Sequence, residues 1–420
     1  MAIVIRILSL VVFCFSFVAF AEVVRCVAGQ EIVREDVTLT ITGRAALVIE
    51  GPCKVVLRHI TVRGKRETTP QPQAFPSSET RFADHYQENG VLAIGSAELI
   101  VEDSFFSGVA AFSILASGVG KLRISRCQFR DSGSRNAKGR NNATGGVLLE
   151  DGTANFLIES STFSNVLGNG AWTHSRYNSI RNGPGLIRGN SFDSIGRDAI
   201  QVGHATRVEV LDNKMVRVGY PVDAIDVEGG GTPVGIDTAG NVDGSVYAGN
   251  QMAEVNGKCI DLDGFHHGDV LRNSCVNKGK AADYPFGNFG MVMNNTNPEM
   301  QSVGIRVEEN RFEGLRFGAM FVIGSGHTIR KNVMKRLHLD HCSEDPIRAG
   351  CMYGDNGPDL LRAGIYLVKH AERPAVTRGN RIEGNTIEGW RMDKRCIGFA
   401  PGVNPKENQM SGNLCRHQAD

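Results

Sequence analysis

Long helical periodicity is missing from this sequence, which turns the reading toward β structure from the start. No CxxC pair and no HExxH phrase occurs, so a zinc centre is not expected. The LxxLxL run that a leucine-rich horseshoe requires is absent as well. Excess charge is also lacking: 46 Lys and Arg against 45 Asp and Glu leave a formal net charge of +1, which gives no basic surface for nucleic acid. Beyond the first residues, no apolar run is long enough to cross a bilayer.

Those first residues carry their own pattern. Met1 to Ala21 has one basic residue, Arg6, then an apolar run from Ile7 to Val18, then the small-x-small sequence Ala19-Phe20-Ala21. This reads as a secretory signal peptide, so the mature protein, residues 22–420, is expected to be secreted or periplasmic and free of the membrane. Nine cysteines remain after Cys14 is removed. Sequence neighbours suggest the pairs Cys26 with Cys53, Cys259 with Cys275, Cys342 with Cys351 and Cys396 with Cys415, leaving Cys127 buried and free.

Fifty glycines in 420 residues exceed the usual share of about 7% and imply many turns. A phrase recurs between them: a polar residue, often Asn, then one variable residue, then a large apolar one. It appears at Asp103-Ser-Phe105, Cys127-Gln-Phe129, Ser161-Thr-Phe163, Asn190-Ser-Phe192, Asn213-Lys-Met215, Asn250-Gln-Met252, Asn273-Ser-Cys275, Asn310-Arg-Phe312, Asn332-Val-Met334, Asn385-Thr-Ile387 and Asn413-Leu-Cys415. A unit of about 22 residues rich in short β runs suits one coil of a parallel β-solenoid, in which each coil gives three short strands and buries its inward side chains against the next. Asparagine at a fixed position tolerates a tight turn, and its amide can bond to the Asn of the following coil. The expected fold is all-β, a single parallel β-helix domain of roughly 10 to 12 coils by that period.

Four stretches interrupt the repeat: Lys65 to Gln87, Arg130 to Thr144, Lys278 to Phe289 and Leu337 to Asp359. If they leave the solenoid at one corner they wall a groove along one sheet. Aligning the strand after each Asn phrase gives a floor with one row of Leu148, Trp172, Gln201, Asp226, Asp261, Val292, Phe321 and Tyr366. A second row holds Glu150, His174, Gly203, Glu228, Asp263, Asn294, Ile323 and Val368. Acids occupy the middle coils because Asp223-Ala-Ile-Asp226-Val-Glu228 and Lys258-Cys-Ile-Asp261-Leu-Asp263 both alternate acid with apolar residue, the period of a half-buried strand. In register, Asp226 would stand beside Asp261 and Glu228 beside Asp263. Carboxylates about 5 Å apart repel by roughly 3 kcal/mol at an effective dielectric of 20. A bound cation, a raised pKa or an incoming cationic side chain must relieve them.

These features resemble the right-handed parallel β-helix proteins of the pectin lyase-like superfamily from about Glu31 to the C-terminus. That superfamily includes pectate lyases, polygalacturonases, alginate lyases, alginate epimerases and phage tailspikes, so the resemblance implies a polysaccharide partner and leaves the reaction open. Of the polygalacturonase phrases, only the Asp of NTD is kept, as Asp223; the DD position reads Gly257-Lys258, and His267-Gly268 keeps part of GHG. The DPHD phrase of the epimerases is absent. A lyase reading takes Ca²⁺ on Asp223, Asp226, Glu228, Asp261 and Asp263, with Lys258, His266 or His267 as base if the Lys258 pKa is depressed. A hydrolase reading takes a pair of the carboxylates, with His and Lys nearby, one acid protonating the glycosidic oxygen and another activating water; Asp198, preceded by Arg197, flanks these acids. Trp172, His174, Gln201, Asn294 and Tyr366 are the expected sugar contacts. The expectation is a monomeric, secreted protein that cleaves an acidic polysaccharide by Ca²⁺-assisted elimination. Hydrolysis and non-catalytic carbohydrate binding are the alternatives.

Overall fold

The computed structural model describes residues 22–66, 81–141, 143–227, 232–287, 289–295, 298–341, 362–371 and 373–418. The strands assemble into three parallel sheets of 13 strands each, and every third strand in the chain joins the same sheet. The first sheet begins at Glu22–Arg25 and ends at Ile397–Phe399, the second begins at Glu31–Glu35, and the third ends at Leu414–His417. The described residues thus form 13 coils, more than the 10 to 12 expected, because the first coils carry no Asn phrase to count.

Each coil turns for a reason that can be read from its residues. Between the second and third sheets the chain bends sharply through a residue in the left-handed region, such as Asp103, Arg126 and Asp212, and the polar residue that follows points inward. From Asn190 onward that residue forms a buried ladder. The Asn190 amide donates to Asn213 (3.0 Å), Asn213 to Asn250 (3.0 Å), Asn250 to Asn273 (2.8 Å) and Asn273 to Asn310 (3.0 Å), and the ladder continues through Asn332, Asn385 and Asn413. Next to it, Phe106, Phe129, Phe163 and Phe192 stack ring on ring at 4.6 to 5.2 Å.

The ladder yields a first prediction. Asn250 donates to Asn273 and to the Val210 carbonyl, and its own oxygen accepts from the backbone and side chain of Asn213. Asn250→Ala leaves these buried groups without partners and should lower unfolding stability by about 2 to 3 kcal/mol. The shift would be read as a lower urea midpoint at unchanged slope.

Disulfides join Cys26 to Cys53, Cys259 to Cys275 and Cys396 to Cys415, as expected from sequence. Cys127 is free and buried, and burial pushes its thiol up to about 12. Cys342 and Cys351 lie outside the described residues, as do the segment read as a signal peptide and Glu228. Three disulfides fit an oxidising compartment. No helix among the described residues is long and apolar enough to cross a membrane.

Loop length follows the corner. Turns between the second and third sheets are short, whereas the connections from the third sheet to the first include 64–88, 131–144, 219–233, 277–290 and 338–364. These connections lead into the first strand of each coil, at one edge of the first sheet, and 175–184, 295–305 and 368–380 lead out of it at the other edge. The outer face of the first sheet lies between the two sets.

Candidate functional site

Strand register decides which side chains share that face. Leu148 pairs with Trp172, Trp172 with Gln201, Gln201 with Asp237, Asp261 with Val292, Val292 with Phe321 and Phe321 with Tyr366. The Val234–Asp243 strand lies beside Lys258–His266 with Ile236 opposite Ile260, which brings Asp237 next to Asp261. The row expected from sequence is present except for one member: Asp237 takes the place assigned to Asp226.

Asp223 and Asp226 belong instead to the connection before that strand, where Val222–Ala224 forms a single 3₁₀ turn. Asn136 donates to the Asp226 carboxylate (2.7 Å), the Asp226 backbone N–H donates to Asn141 (2.8 Å), and Arg140 reaches the Asp223 carbonyl (2.5 Å). These residues tie two wall loops together. The expected pairing of Asp226 with Asp261 is thus corrected: the apolar residues between the acids, Ala224 and Ile225, are buried in a loop contact, which imitates the alternation of a strand.

The cluster on the floor consists of Asp198, Asp237, Asp261 and Lys258. Asp198 is 5%, Asp237 8% and Asp261 7% exposed, so three carboxyl groups lie almost out of water. Lys258 ion-pairs with Asp261. Gln201 donates to Asp237 Oδ2 (2.7 Å), and its own oxygen is fixed by the Asn169 amide (2.8 Å), which sets the orientation of the Gln201 amide. Asp198 accepts from the Val234 N–H (3.0 Å).

Burial pushes the Asp198 carboxyl up to about 6, against the pull of Arg197 and Lys258. Asp237 is held well above the usual carboxylate range, first by burial and then by the charges of Asp198 and Asp261. For Lys258, burial works against the ammonium, but Asp261, Asp237 and Asp198 outweigh it and the net shift is upward. Repulsion is therefore relieved by an incoming cation, Lys258, and by the raised proton affinity of Asp198 and Asp237. Lys258 keeps its own proton, and the depressed pKa that a lysine base requires is not found.

Of the five expected Ca²⁺ ligands, Glu228 lies outside the described residues; among the described residues no three of Asp223, Asp226, Asp261 and Asp263 offer ligand atoms within 4.8 Å of one another, and one Asp261 oxygen holds Lys258.

The expected sugar contacts have mixed fates. Gln201 is on the floor beside Asp237, and Asn294 stands opposite Asp263. Trp172 is covered by the short helix Phe82–His85, whose Phe82 ring meets it edge-on at 5.0 Å. His174 sits against the same ring (5.0 Å), and burial lowers its pKa to about 4. Tyr366 is buried. These three line the covered ends of the floor rather than an open stacking surface. Tyr177, exposed on the far wall and edge-on to His204 (5.8 Å), is an aromatic that sequence reasoning missed. His266 and His267 lie at the other end of the strand that carries Asp261.

The helix that covers Trp172 is itself held by a titrating group. Glu150 accepts the backbone N–H groups of Phe82 and Ala83, both at 2.8 Å, and burial raises its pKa from 4.5 to about 7. The folded state binds the proton more tightly than the unfolded chain, so Glu150 makes stability fall as pH rises from about 4.5 to 7 and contributes no slope above that. The loss is at most roughly 3 kcal/mol at 1.36 kcal/mol per unit. Glu150→Gln should flatten this part of a stability profile measured by denaturant titration.

The family described as "Right handed beta helix region" matches residues 78–242. No curated protein matches by sequence. Solved structures that resemble the chain include the Dettilon tailspike protein (14% identity, TM-score 0.48, 87% of this chain and 62% of that one). They also include the GH136 lacto-N-biosidase from Eubacterium ramulus (11%, 0.44, 87% and 62%). A third is a mannuronic acid specific polysaccharide family 6 lyase from human gut microbiota (13%, 0.46, 93% and 78%). The chain spans about 62% of the length of the first two. At these identities the likeness concerns the fold alone.

Proposed function

We propose that this right-handed parallel β-helix is a secreted carbohydrate-active enzyme that hydrolyses a glycosidic bond in the groove above its first sheet. One observation carries the reading. Adjacent, nearly buried carboxyl groups differ in their surroundings: burial and the neighbouring acids hold Asp237 well above the usual carboxylate range, while Asp261 is ion-paired to Lys258. Neighbouring acids driven apart in proton affinity make an acid and base pair.

Asp237 donates its proton to the leaving oxygen. Gln201 occupies Oδ2, so the proton is presented from Oδ1. The Asp261 carboxylate, held in place by Lys258, activates water or stabilises the positive charge that develops at the sugar carbon. Asp198, with a pKa near 6, is placed to receive and return a proton as the cycle closes. Elimination is less well supported here, because Lys258 is protonated and the oxygen ligands are not gathered.

The test is a panel of neutral and uronate polymers incubated with the mature protein. New reducing ends without absorbance near 235 nm support hydrolysis. A rise at 235 nm would replace this reading with elimination, and binding without either product would make the protein a carbohydrate-binding module.

A further inference from the structure

A second constellation lies at the opposite edge of the same sheet. His266 ends the strand that carries Asp261, five residues further on, or roughly 16 Å at about 3.3 Å per residue. Asp243 ends the neighbouring strand, and the two residues are register partners. This alignment depends on a bulge: the pairing shifts between Ala239 and Val242, so the Asp237 and Asp243 ends of one strand follow different registers. His267 follows in the left-handed region (φ 49°), which turns its ring back beside His266, with ring centroids 5.4 Å apart.

From these residues we infer that Asp243, His266 and His267 form a binding site for a divalent metal of the zinc class, separate from the carboxylate cluster. One ligand atom from each lies within 4.8 Å of the other two. His266 Nδ1 is 3.1 Å from the Gly264 carbonyl, an acceptor only, so Nδ1 carries a hydrogen, and on a neutral ring Nε2 then carries the lone pair. Nε2 faces Asp243 Oδ1 at 3.8 Å. With a neutral ring two acceptors face one another, an arrangement that a cation bound between them relieves. A backbone carbonyl bound to the far nitrogen is the usual support of a metal-bound imidazole. Bonds of about 2.0 to 2.2 Å in a tetrahedral zinc site set ligand atoms about 3.4 Å apart, so the gap of 3.8 Å needs to close by only a few tenths of an ångström.

Ligand type sets the metal. Two imidazoles and one carboxylate favour zinc or a neighbouring first-row ion over Ca²⁺, which prefers six or more oxygens. Three protein ligands leave a coordination position open. The three residues line a cleft of about 500 Å³ that Arg181, Glu299 and Ser302 also line. A metal and an arginine together suit an anionic oxygen, such as a carboxylate or phosphate group on a bound ligand.

The test uses the mature protein with any polyhistidine tag removed and metal stripped by chelator. Zinc chloride is titrated against a zinc indicator, with calcium chloride in parallel. One equivalent of zinc should bind. His266→Ala, Asp243→Asn and His267→Ala should each weaken it by at least about 100-fold, with circular dichroism unchanged. Glu35→Gln with His59→Ala, at an exposed cluster near the N-terminus, should leave binding intact. Absence of stoichiometric binding, equal binding by His266→Ala, or preference for calcium would overturn the inference; in the first case the facing atoms are reconciled by a protonated His266. None of these readouts depends on turnover, so the site stands or falls apart from the proposed hydrolysis.

Discussion

Asp237→Asn should lower kcat/KM on a cleavable glycan by about a thousandfold, which is roughly 4 kcal/mol of transition-state stabilisation. The substituted amide keeps the shape of the acid and can still meet the Gln201 amide through its oxygen, but it cannot release a proton to a leaving oxygen. Stability should move the other way. The folded-state pKa of Asp237 is raised, so ionisation of this buried group costs stability as pH climbs above its unfolded value, and that cost persists at alkaline pH. Asn removes it. The variant is therefore expected to be inactive yet as resistant to urea as the native protein at pH 8, or more so. A variant that unfolds more easily and retains turnover would make Asp237 a structural residue and remove the general acid.

Why the sequence pointed to Asp226 in place of Asp237 has a geometric answer. Counting forward from Asn213 works only while the following connection is short. After Asn213 the chain makes one third-sheet strand, Lys214–Val218, and then a long connection that contains its own acid and apolar alternation at Asp223 to Val227. Counting back from the next rung avoids the insertion. Asp261 stands 12 positions before Asn273 and Gln201 stands 12 before Asn213, whereas Asp237 stands 13 before Asn250 because a bulge adds one residue. The same rule places Thr206, Asp243 and His266 each 7 positions before their rungs, so their alignment is present in the sequence spacing.

The solenoid itself was legible because its determinants are local and repeated. Each Asn needs only its own turn and one identical neighbour, so the ladder is visible as spacing. Burial on the floor is not local. Trp172 and Tyr366 alternate outward as read, but Trp172 is covered by Phe82, from a connection about 90 positions earlier. No periodicity within a coil reports that contact.

Lys258→Met is the second large effect. Lys258 is the ion-pair partner of Asp261 beside Asp237 and Asp198, and its removal takes that counter-charge from a nearly buried carboxyl group. Breaking such a pair by deleting one partner costs up to about 3 to 5 kcal/mol in a fully buried setting. Part of the Lys258 side chain reaches solvent, so about 2 kcal/mol is the expected loss, read from the urea midpoint. Turnover should fall by roughly a hundredfold or more. The double variant Lys258→Met with Asp261→Asn removes both charges, and it should regain most of the lost stability while remaining inactive. Recovery of stability without activity separates the two duties of the pair, since a purely structural ion pair would return both together. If Lys258→Met instead keeps full turnover, Asp261 is not the charged partner of Asp237, and the role of base passes to Asp198.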